Sequence, residues 1–325
     1  MRPRSMVERA WSRWLQRRTR PGYRSRFGGL WTDRLDAERI WAQRRAAGRF
    51  SEHEAEWLGA WIDQGYWVLP SAVPRSAIER LNREVEELWR VRDGRTRVEL
   101  GGRYLTLDSE LRSERCKLVD LYAHSRSALE IALAEPIRSV LRLLFEREPL
   151  LFQSLSFERG SEQPIHQDTA YVVVTPPLEM VAAWIALEDV QPGSGELVYY
   201  PGSQRIPEFL FRGGTRNWNR ERDRLGGQLR YQDWLLAELE ARRFPRRLFR
   251  PRQGDVLFWS ADLAHGGSPI VDRTLTRRSL VCHYCPADVQ PYYFSYRPER
   301  RRRSWYQGCA YTSSHYDLEE LRKGA

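Results

Sequence analysis

The chain has 325 residues, of which 41% are hydrophobic and 12% aromatic, enough to bury one large core. It contains no run of about 18 apolar residues and no apolar signal-peptide core near Met1, so the sequence excludes a membrane-spanning helix and predicts a cytoplasmic protein. Its four cysteines are too few and too scattered for a disulfide framework. The net charge of +10 favours anionic partners, but no recognition helix or aromatic sheet motif indicates nucleic acid.

Residues 1–50 are predicted to be a basic N-terminal extension with helical character. From Met6 to Leu15 the apolar residues recur as one helical stripe that carries two tryptophans. Arg13 and Arg17 flank the stripe on one side and Glu8 on the other. The pattern predicts a helix that either docks on its own domain or a partner, or lies peripherally on the inner face of the membrane.

Helices dominate the next part of the chain, and strands follow them. Ser51 is a predicted N-cap, because Glu54 follows three places later and can complete a capping box. Apolar periodicity predicts helices at 36–48, 52–65, 76–90, 127–145 and about 231–242, a strand at 65–70, a loop or hairpin at 92–117, and strand-rich blocks at 150–203 and 255–284.

Two histidines and one carboxylate have the spacing of a metal site. In a β-strand residues i and i+2 point to the same side, so His166 and Asp168 can face one cavity while Gln167 points elsewhere. His265, 99 residues after His166, can supply a third ligand. Two imidazoles and one carboxylate on one face of an octahedron leave three positions open, as in non-haem Fe(II) oxygenases.

A second feature follows His265 by 12 residues. Residues 276–284 are predicted to form a strand that places Arg277, Ser279, Val281 and His283 on one face. A guanidinium in that position can bind a carboxylate through two parallel hydrogen bonds and keeps its charge when partly buried. This is the group that the distal carboxylate of 2-oxoglutarate requires.

These residues resemble the phytanoyl-CoA dioxygenase family of Fe(II)/2-oxoglutarate-dependent oxygenases, over roughly residues 53–290. The resemblance rests on five motifs in the family's order: His166-Gln167-Asp168, Ala183–Asp189, Gly195–Ser203, Gly254–Trp259, and His265 with Arg277.

The resemblance implies a role for each matching residue. His166, Asp168 and His265 would be the iron ligands, and Arg277 would bind the distal carboxylate of 2-oxoglutarate. Three further positions would complete the cosubstrate pocket: Gln167, Trp184 and Gln153. Family members often have Gly-Ser after the distal histidine, whereas here Gly266-Gly267-Ser268 moves the hydroxyl one place on and leaves a Ser268 contact open.

The expected fold is mainly β with flanking helices, a double-stranded β-helix of the jelly-roll, cupin-like class. The catalytic domain is expected at 51–295, with 204–253 as a rim insertion or lid. Residues 296–325 are expected to form a basic C-terminal extension.

The sequence therefore predicts an Fe(II)- and 2-oxoglutarate-dependent dioxygenase that uses O2 to hydroxylate an unactivated C–H bond. Relatives that halogenate have a small residue at the carboxylate position, whereas Asp168 is present here. Arginine runs at 242–247 and 300–303 favour a small or lipid-linked anionic substrate, with a possible peripheral membrane contact. The alternatives are a non-catalytic barrel that only binds ligand and a metal-dependent cupin enzyme that does not use 2-oxoglutarate.

Overall fold

The computed structural model describes residues 21–114 and 116–323. The apolar stripe from Met6 to Leu15 lies outside these residues. No helix in the described ranges is long and apolar enough to cross a membrane.

Seven α-helices are described, most of them where the sequence predicts them, and all but the last two form a helical layer that packs on one shared core. They are α1 (Ala37–Ala46), α2 (Glu52–Gln64), α3 (Arg75–Val91), α4 (Arg126–Ala132), α5 (Glu135–Phe145), α6 (Arg220–Ala241) and α7 (Leu318–Lys323). The capping box of α2 is confirmed, because the Ser51 hydroxyl accepts from Glu54 N and the Glu54 carboxylate accepts from Ser51 N.

Two helix predictions differ from the structure. The single helix expected at 127–145 is divided into α4 and α5, because Pro136 has no N–H to continue a helix and fits only in a first turn. The helix expected at 231–242 begins eleven residues earlier, at Arg220, and is interrupted by the left-handed φ of 56° at Arg224. Polar residues fill this first part, so apolar periodicity did not reveal it.

A ten-stranded sheet carries most of the barrel. Its path runs β1-β10-β7-β12-β5-β4-β2-β3, and a C-terminal hairpin of β14 and β15 joins β5. The strands are β1 (Tyr66–Leu69), β2 (Arg97–Leu100), β3 (Arg103–Thr106), β4 (Lys117–Val119), β5 (Pro149–Phe157), β7 (Val181–Ala186), β10 (Val256–Ser260), β12 (Ser279–Pro286), β14 (Ser304–Tyr306) and β15 (Cys309–Tyr311).

Two smaller sheets complete the strands. The order β11-β8-β9 forms one, and β13-β6 the other. Their members are β8 (Leu197–Tyr199), β9 (Arg247–Phe249), β11 (His265–Gly267), β6 (Val174–Thr175) and β13 (Gln290–Pro291). Strand β9 lies inside the predicted rim insertion 204–253 and pairs with β8, so the end of that segment belongs to the barrel.

Strand β7 lies between two apolar layers. Its residues Ala182, Trp184 and Ala186 pack toward β8 and β9, while the alternate residues pack against the helices. All six residues are buried, as expected for a continuously apolar core strand. The layer between the large sheet and β8-β9 is the interior of the barrel.

Residues of the predicted C-terminal extension contribute to the large sheet. Strand β15 pairs in parallel with the start of β5, with Ala310 opposite Leu150 and Tyr311 opposite Leu151. Cys309 and Ala310 are buried. The described part of 296–325 is therefore continuous with the barrel.

Candidate active site

His166, Asp168 and His265 meet inside the barrel. Asp168 Oδ1 lies 3.7 Å from His166 Nε2 and 3.6 Å from His265 Nε2. The candidate ligand atoms all lie within 4.8 Å of one another, and each residue is at most 5% exposed. Their separation and chemistry fit a divalent metal that is held on one face by two imidazoles and one carboxylate.

The backbone around these residues is not the continuous strand that the sequence predicts. His166 and His265 form an isolated antiparallel bridge, with hydrogen bonds of 2.8 and 2.9 Å. Asp168 already begins a short 3-10 helix, Asp168–Ala170. Gln167 keeps an extended conformation with φ −109° and ψ 139°, so the alternation that separates its side chain from those of His166 and Asp168 survives.

Backbone carbonyls orient both imidazoles. His166 Nδ1 lies 2.9 Å from Pro164 O, and His265 Nδ1 lies 2.9 Å from Leu263 O. With the proton on Nδ1, each ring donates to a carbonyl and presents the Nε2 lone pair to the ligand cluster. Burial, with a smaller effect of the neighbouring His265, lowers the pKa of His166 to about 3, so this imidazole is neutral and able to bind a metal at neutral pH.

The two oxygens of Asp168 have different neighbours. Oδ1 faces the two imidazoles, whereas Oδ2 accepts a 2.8 Å hydrogen bond from the Trp259 indole N–H. His283 Nε2 lies 3.4 Å from Oδ2, in contact but without the alignment of a hydrogen bond. Burial alone would raise the pKa of Asp168, but the imidazoles of His265 and His283 hold it below its ordinary value.

The contact of the Trp259 indole with Asp168 gives a testable prediction. Trp259→Phe keeps an aromatic ring but removes the donor that holds Oδ2, and we expect Fe(II) affinity to fall about tenfold. Anaerobic Fe(II) titration measures the change. Trp61→Phe is the matched control, because its buried indole donates to Thr32 Oγ1 in the helical layer. Equal Fe(II) affinities of Trp259→Phe and the unmodified protein would contradict the prediction.

A cavity of about 220 Å³ opens onto the metal ligands. Aromatic and polar side chains share its wall, and the lining includes Glu99, Tyr104, Lys117, Gln153, Phe157, Tyr171, Trp184, Trp259, Arg277 and His283. The cavity therefore brings together the predicted metal ligands and three of the four predicted cosubstrate residues.

Arg277 lies in this cavity two residues before β12. Its guanidinium carbon is 5.4 Å from the ring centres of both Phe157 and Trp184. Nη2 donates to Arg159 O at 3.4 Å, while the buried Nε has no hydrogen-bond partner among the described residues. Burial lowers the pKa of Arg277 to about 10, with the carboxylates of Glu188 and Glu196 opposing the shift.

A group with this pKa remains charged at neutral pH, and a charged donor without a partner fits a carboxylate. The neighbouring Arg278 is placed differently. Its Nη2 donates to Glu86 at 2.8 Å, and it does not line the cavity. The two side chains therefore lie on opposite sides of the chain segment that leads into β12.

The remaining predicted residues are divided between the cavity and its supporting wall. Gln153 Oε1 is buried in the cavity without a partner among the described residues, and Trp184 packs beside Arg277. Gln167 does not line the cavity: its amide nitrogen instead donates to Asp262 O at 2.7 Å. In this structure the extended backbone turns Gln167 away from the side that His166 and Asp168 face, so its role at the cosubstrate stays a prediction.

The residues after His265 approach another segment closely. A Cβ at Gly266 would lie 2.8 Å from Gln163 O, and one at Gly267 would lie 2.7 Å from Glu162 N. Both distances are too short for a side chain at these positions. The hydroxyl that follows, on Ser268, donates to Glu196 Oε2 at 3.1 Å and does not line the cavity.

Sequence reasoning missed the wall that the segment 92–117 contributes. Strands β2 and β4 pair, and they place Lys117 Nζ 2.8 Å from Glu99 Oε2 at the cavity. The sequence predicts a loop or hairpin here, and β2 and β3 do form a hairpin, but only the pairing of β4 with β5 brings Lys117 and Glu99 to the site. His283 could have been found, because it shares the predicted strand face with Arg277.

Comparison with known proteins gives the family and the fold. The sequence model of the family described as phytanoyl-CoA dioxygenase matches residues 61–278. No curated protein sequence matches the chain significantly.

Several solved structures are similar. SnoK, a non-haem alpha-ketoglutarate-dependent carbocyclase from nogalamycin biosynthesis, is 18% identical, with a TM-score of 0.54 over 75% of this chain and 87% of its own. EctD from S. alaskensis, solved with 2-oxoglutarate and 5-hydroxyectoine, is 19% identical, with a TM-score of 0.51 over 73% of this chain and 77% of its own. The epimerase SnoN, in complex with Fe3+, alpha ketoglutarate and nogalamycin RO, is 18% identical, with a TM-score of 0.52 over 72% and 83%.

At these identities the likeness concerns the fold, and it confirms the predicted cupin-like jelly roll. The family match spans well over half of the chain. The chain therefore belongs to the phytanoyl-CoA dioxygenase family and is an Fe(II)- and 2-oxoglutarate-dependent oxygenase that uses O2.

Proposed function

We propose that this oxygenase hydroxylates an unactivated C–H bond of a small molecule. One observation carries the proposal: the three candidate metal ligands and the unpaired donor of Arg277 face one cavity. That cavity can hold a metal and a dicarboxylate side by side. A cupin enzyme without 2-oxoglutarate would have no use for a buried arginine at this position, and a barrel that only binds ligand would not need the three candidate metal ligands beside it.

Each residue has a defined task in this proposal. His166, Asp168 and His265 hold iron on one face, and Arg277 holds the distal carboxylate of 2-oxoglutarate. Iron held there would activate O2, with 2-oxoglutarate oxidised to succinate and CO2 as one oxygen atom is consumed and the other goes to the C–H bond. Phe157 and Trp184 keep the Arg277 guanidinium in place and exclude water around it.

Hydroxylation is the reaction that the ligand set favours. Halide transfer requires a coordination position that a small residue leaves open, and here Asp168 fills that position with a carboxylate oriented by Trp259. The similar structures include an epimerase and a carbocyclase. Product analysis must therefore separate epimerisation and ring closure from hydroxylation.

The cavity wall gives a first description of the substrate. Because 2-oxoglutarate shares the cavity of about 220 Å³ with the substrate, only a small molecule or one end of a larger one can enter. An anionic substrate is supported by the net charge of +10 and by Lys117. Lys117 is paired with Glu99, so an anionic group would have to displace that carboxylate.

A lipid-linked acceptor and a peripheral membrane contact stay predictions. They rest on the arginine runs and on the apolar stripe from Met6 to Leu15. Cosedimentation of the full-length protein with anionic and with neutral vesicles tests the contact, since an electrostatic contribution should weaken as salt rises. Equal sedimentation with both vesicle types would remove the support for a membrane surface.

The experiment that tests the proposed function uses the protein loaded with Fe(II) under anaerobic conditions. 2-Oxoglutarate, O2 and panels of anionic, neutral and cationic small molecules are then added, and succinate and products are measured by mass spectrometry. We expect some members of one panel to stimulate succinate formation and to gain one oxygen atom derived from O2. A product that loses hydrogen without gaining oxygen would contradict hydroxylation, and absence of 2-oxoglutarate turnover by the metal-loaded protein would contradict the enzyme itself.

A further inference from the structure

Asp262 joins the two chain segments that carry the candidate metal ligands. It lies in the turn between β10 and β11, three residues before His265. Its Oδ1 accepts a 2.6 Å hydrogen bond from the Thr169 hydroxyl, and its backbone carbonyl accepts a 2.7 Å hydrogen bond from the Gln167 amide. Asp262 therefore holds the residues on both sides of Asp168.

The charge of Asp262 is matched from a third segment. Arg216 lies between β8 and β9, and its Nη2 donates to Asp262 Oδ1 at 2.5 Å and to Thr169 Oγ1 at 3.1 Å. Arg216, Asp262 and Thr169 are each at most 5% exposed. A buried ion pair whose shared oxygen also accepts from a hydroxyl is restrained to one geometry, because any departure leaves a charge without a partner in low dielectric.

The same region of the chain makes two more contacts around Asp168. The Tyr231 hydroxyl accepts from Gln167 N at 2.8 Å, and Trp218 N donates to Ala170 O at 2.9 Å. The four residues that make these two contacts do not line the metal-site cavity. They act from behind the ligand segment, so direct contact with substrate does not explain them.

We propose that Arg216, Asp262 and Thr169 form a buried brace that fixes the position of Asp168 relative to His265. The segment 204–253 would thus help to build the metal centre in addition to covering the barrel. The three residues are positioning residues that act through Asp168 and His265. The proposal rests on the metal ligands assigned under the proposed function.

The mildest test removes one hydroxyl. Thr169→Val keeps the branched shape but deletes the donor to Asp262, and Thr169→Ser retains it. We expect Thr169→Val to weaken Co(II) and Fe(II) binding about 10- to 100-fold, as found for groups that orient metal ligands. The visible absorption of bound Co(II), which reports ligand geometry, should also change. Thr169→Ser should restore both the affinity and the spectrum.

Thr96→Val is the matched control. Thr96 is fully buried, and its hydroxyl donates to Asp93 Oδ2 at 2.8 Å, far along the chain from every candidate ligand. The Thr96→Val variant should have a lower thermal stability but the same Co(II) affinity and the same Co(II) absorption spectrum. A purely structural role for Thr169 would give the same result as this control.

A second pair of variants tests the charge. Asp262→Asn leaves the backbone carbonyl but removes the partner of Arg216, whereas Asp120→Asn alters an equally buried carboxylate that joins Ser154 to Ser313. We expect only Asp262→Asn to weaken Co(II) binding. If Thr169→Val and Asp262→Asn both bind Co(II) like the unmodified protein, the brace is overturned while the metal site stands. If the unmodified protein itself fails to bind Co(II), the assigned ligands fail and the brace with them.

Discussion

Replacing His265 with alanine is expected to abolish stoichiometric Fe(II) binding and all 2-oxoglutarate turnover. The change removes one of three groups whose ligand atoms lie within 4.8 Å of one another. The remaining imidazole and carboxylate cannot define one face of an octahedral metal. Since changes that only disturb ligand orientation cost about 10- to 100-fold in affinity, loss of a ligand should cost more than about 100-fold. Anaerobic Fe(II) titration and succinate formation measure both effects.

His124→Ala is the matched control for this change. His124 is a partly buried imidazole that packs against Tyr316, away from the cavity. The His124→Ala variant should keep the Fe(II) stoichiometry and the uncoupled 2-oxoglutarate turnover of the unmodified protein. Retention of one tightly bound Fe(II) by His265→Ala would show that the metal is held elsewhere.

The second large effect is expected at Arg277. Arg277→Lys should raise the KM for 2-oxoglutarate about 10- to 100-fold, the value of a charge-assisted hydrogen bond of roughly 1.5–3 kcal/mol. Lysine keeps a charge but cannot form two parallel hydrogen bonds or place a planar guanidinium over the rings of Phe157 and Trp184. Uncoupled succinate formation at varied 2-oxoglutarate gives the KM, and Fe(II) affinity measured in the same samples should stay the same.

Arg278→Lys provides the comparison, because it alters the adjacent residue, whose side chain lies on the opposite side of the segment before β12. Arg278 donates to Glu86 outside the cavity, so its replacement should leave the KM for 2-oxoglutarate unchanged. A raised KM for Arg278→Lys together with an unchanged KM for Arg277→Lys would reverse the assignment.

Several residues that line the cavity could be predicted from the sequence, because strand alternation and motif order are local signals. His166 and Asp168 face the same way, and Arg277, Val281 and His283 share one wall. The family motifs supplied the third ligand, His265, which no local pattern could have connected to His166 across 99 residues.

The details that sequence analysis missed depend on contacts between distant segments. The indole of Trp259 could be predicted to be buried, but its hydrogen bond to Asp168 requires the register between β10 and the ligand segment. Lys117 and Glu99 likewise become cavity residues only because β2 pairs with β4. Strand β9 could not be predicted for the same reason, since a long helix separates it in the sequence from its partner β8.

The pairing of β1 with β10 and of β15 with β5 has a consequence for how the chain folds. Tyr66 pairs with Trp259, and Leu150 pairs with Ala310, so the two strands of each pair are far apart in the sequence. Such non-local topologies have a high contact order and fold in milliseconds to seconds, because long loops must close before any pairing stabilises them. During synthesis the apolar strand β7 is made well before β10 and β12 can cover it. The nascent chain must therefore keep β7 from aggregating until β10 and β12 have left the ribosome and can pair with it.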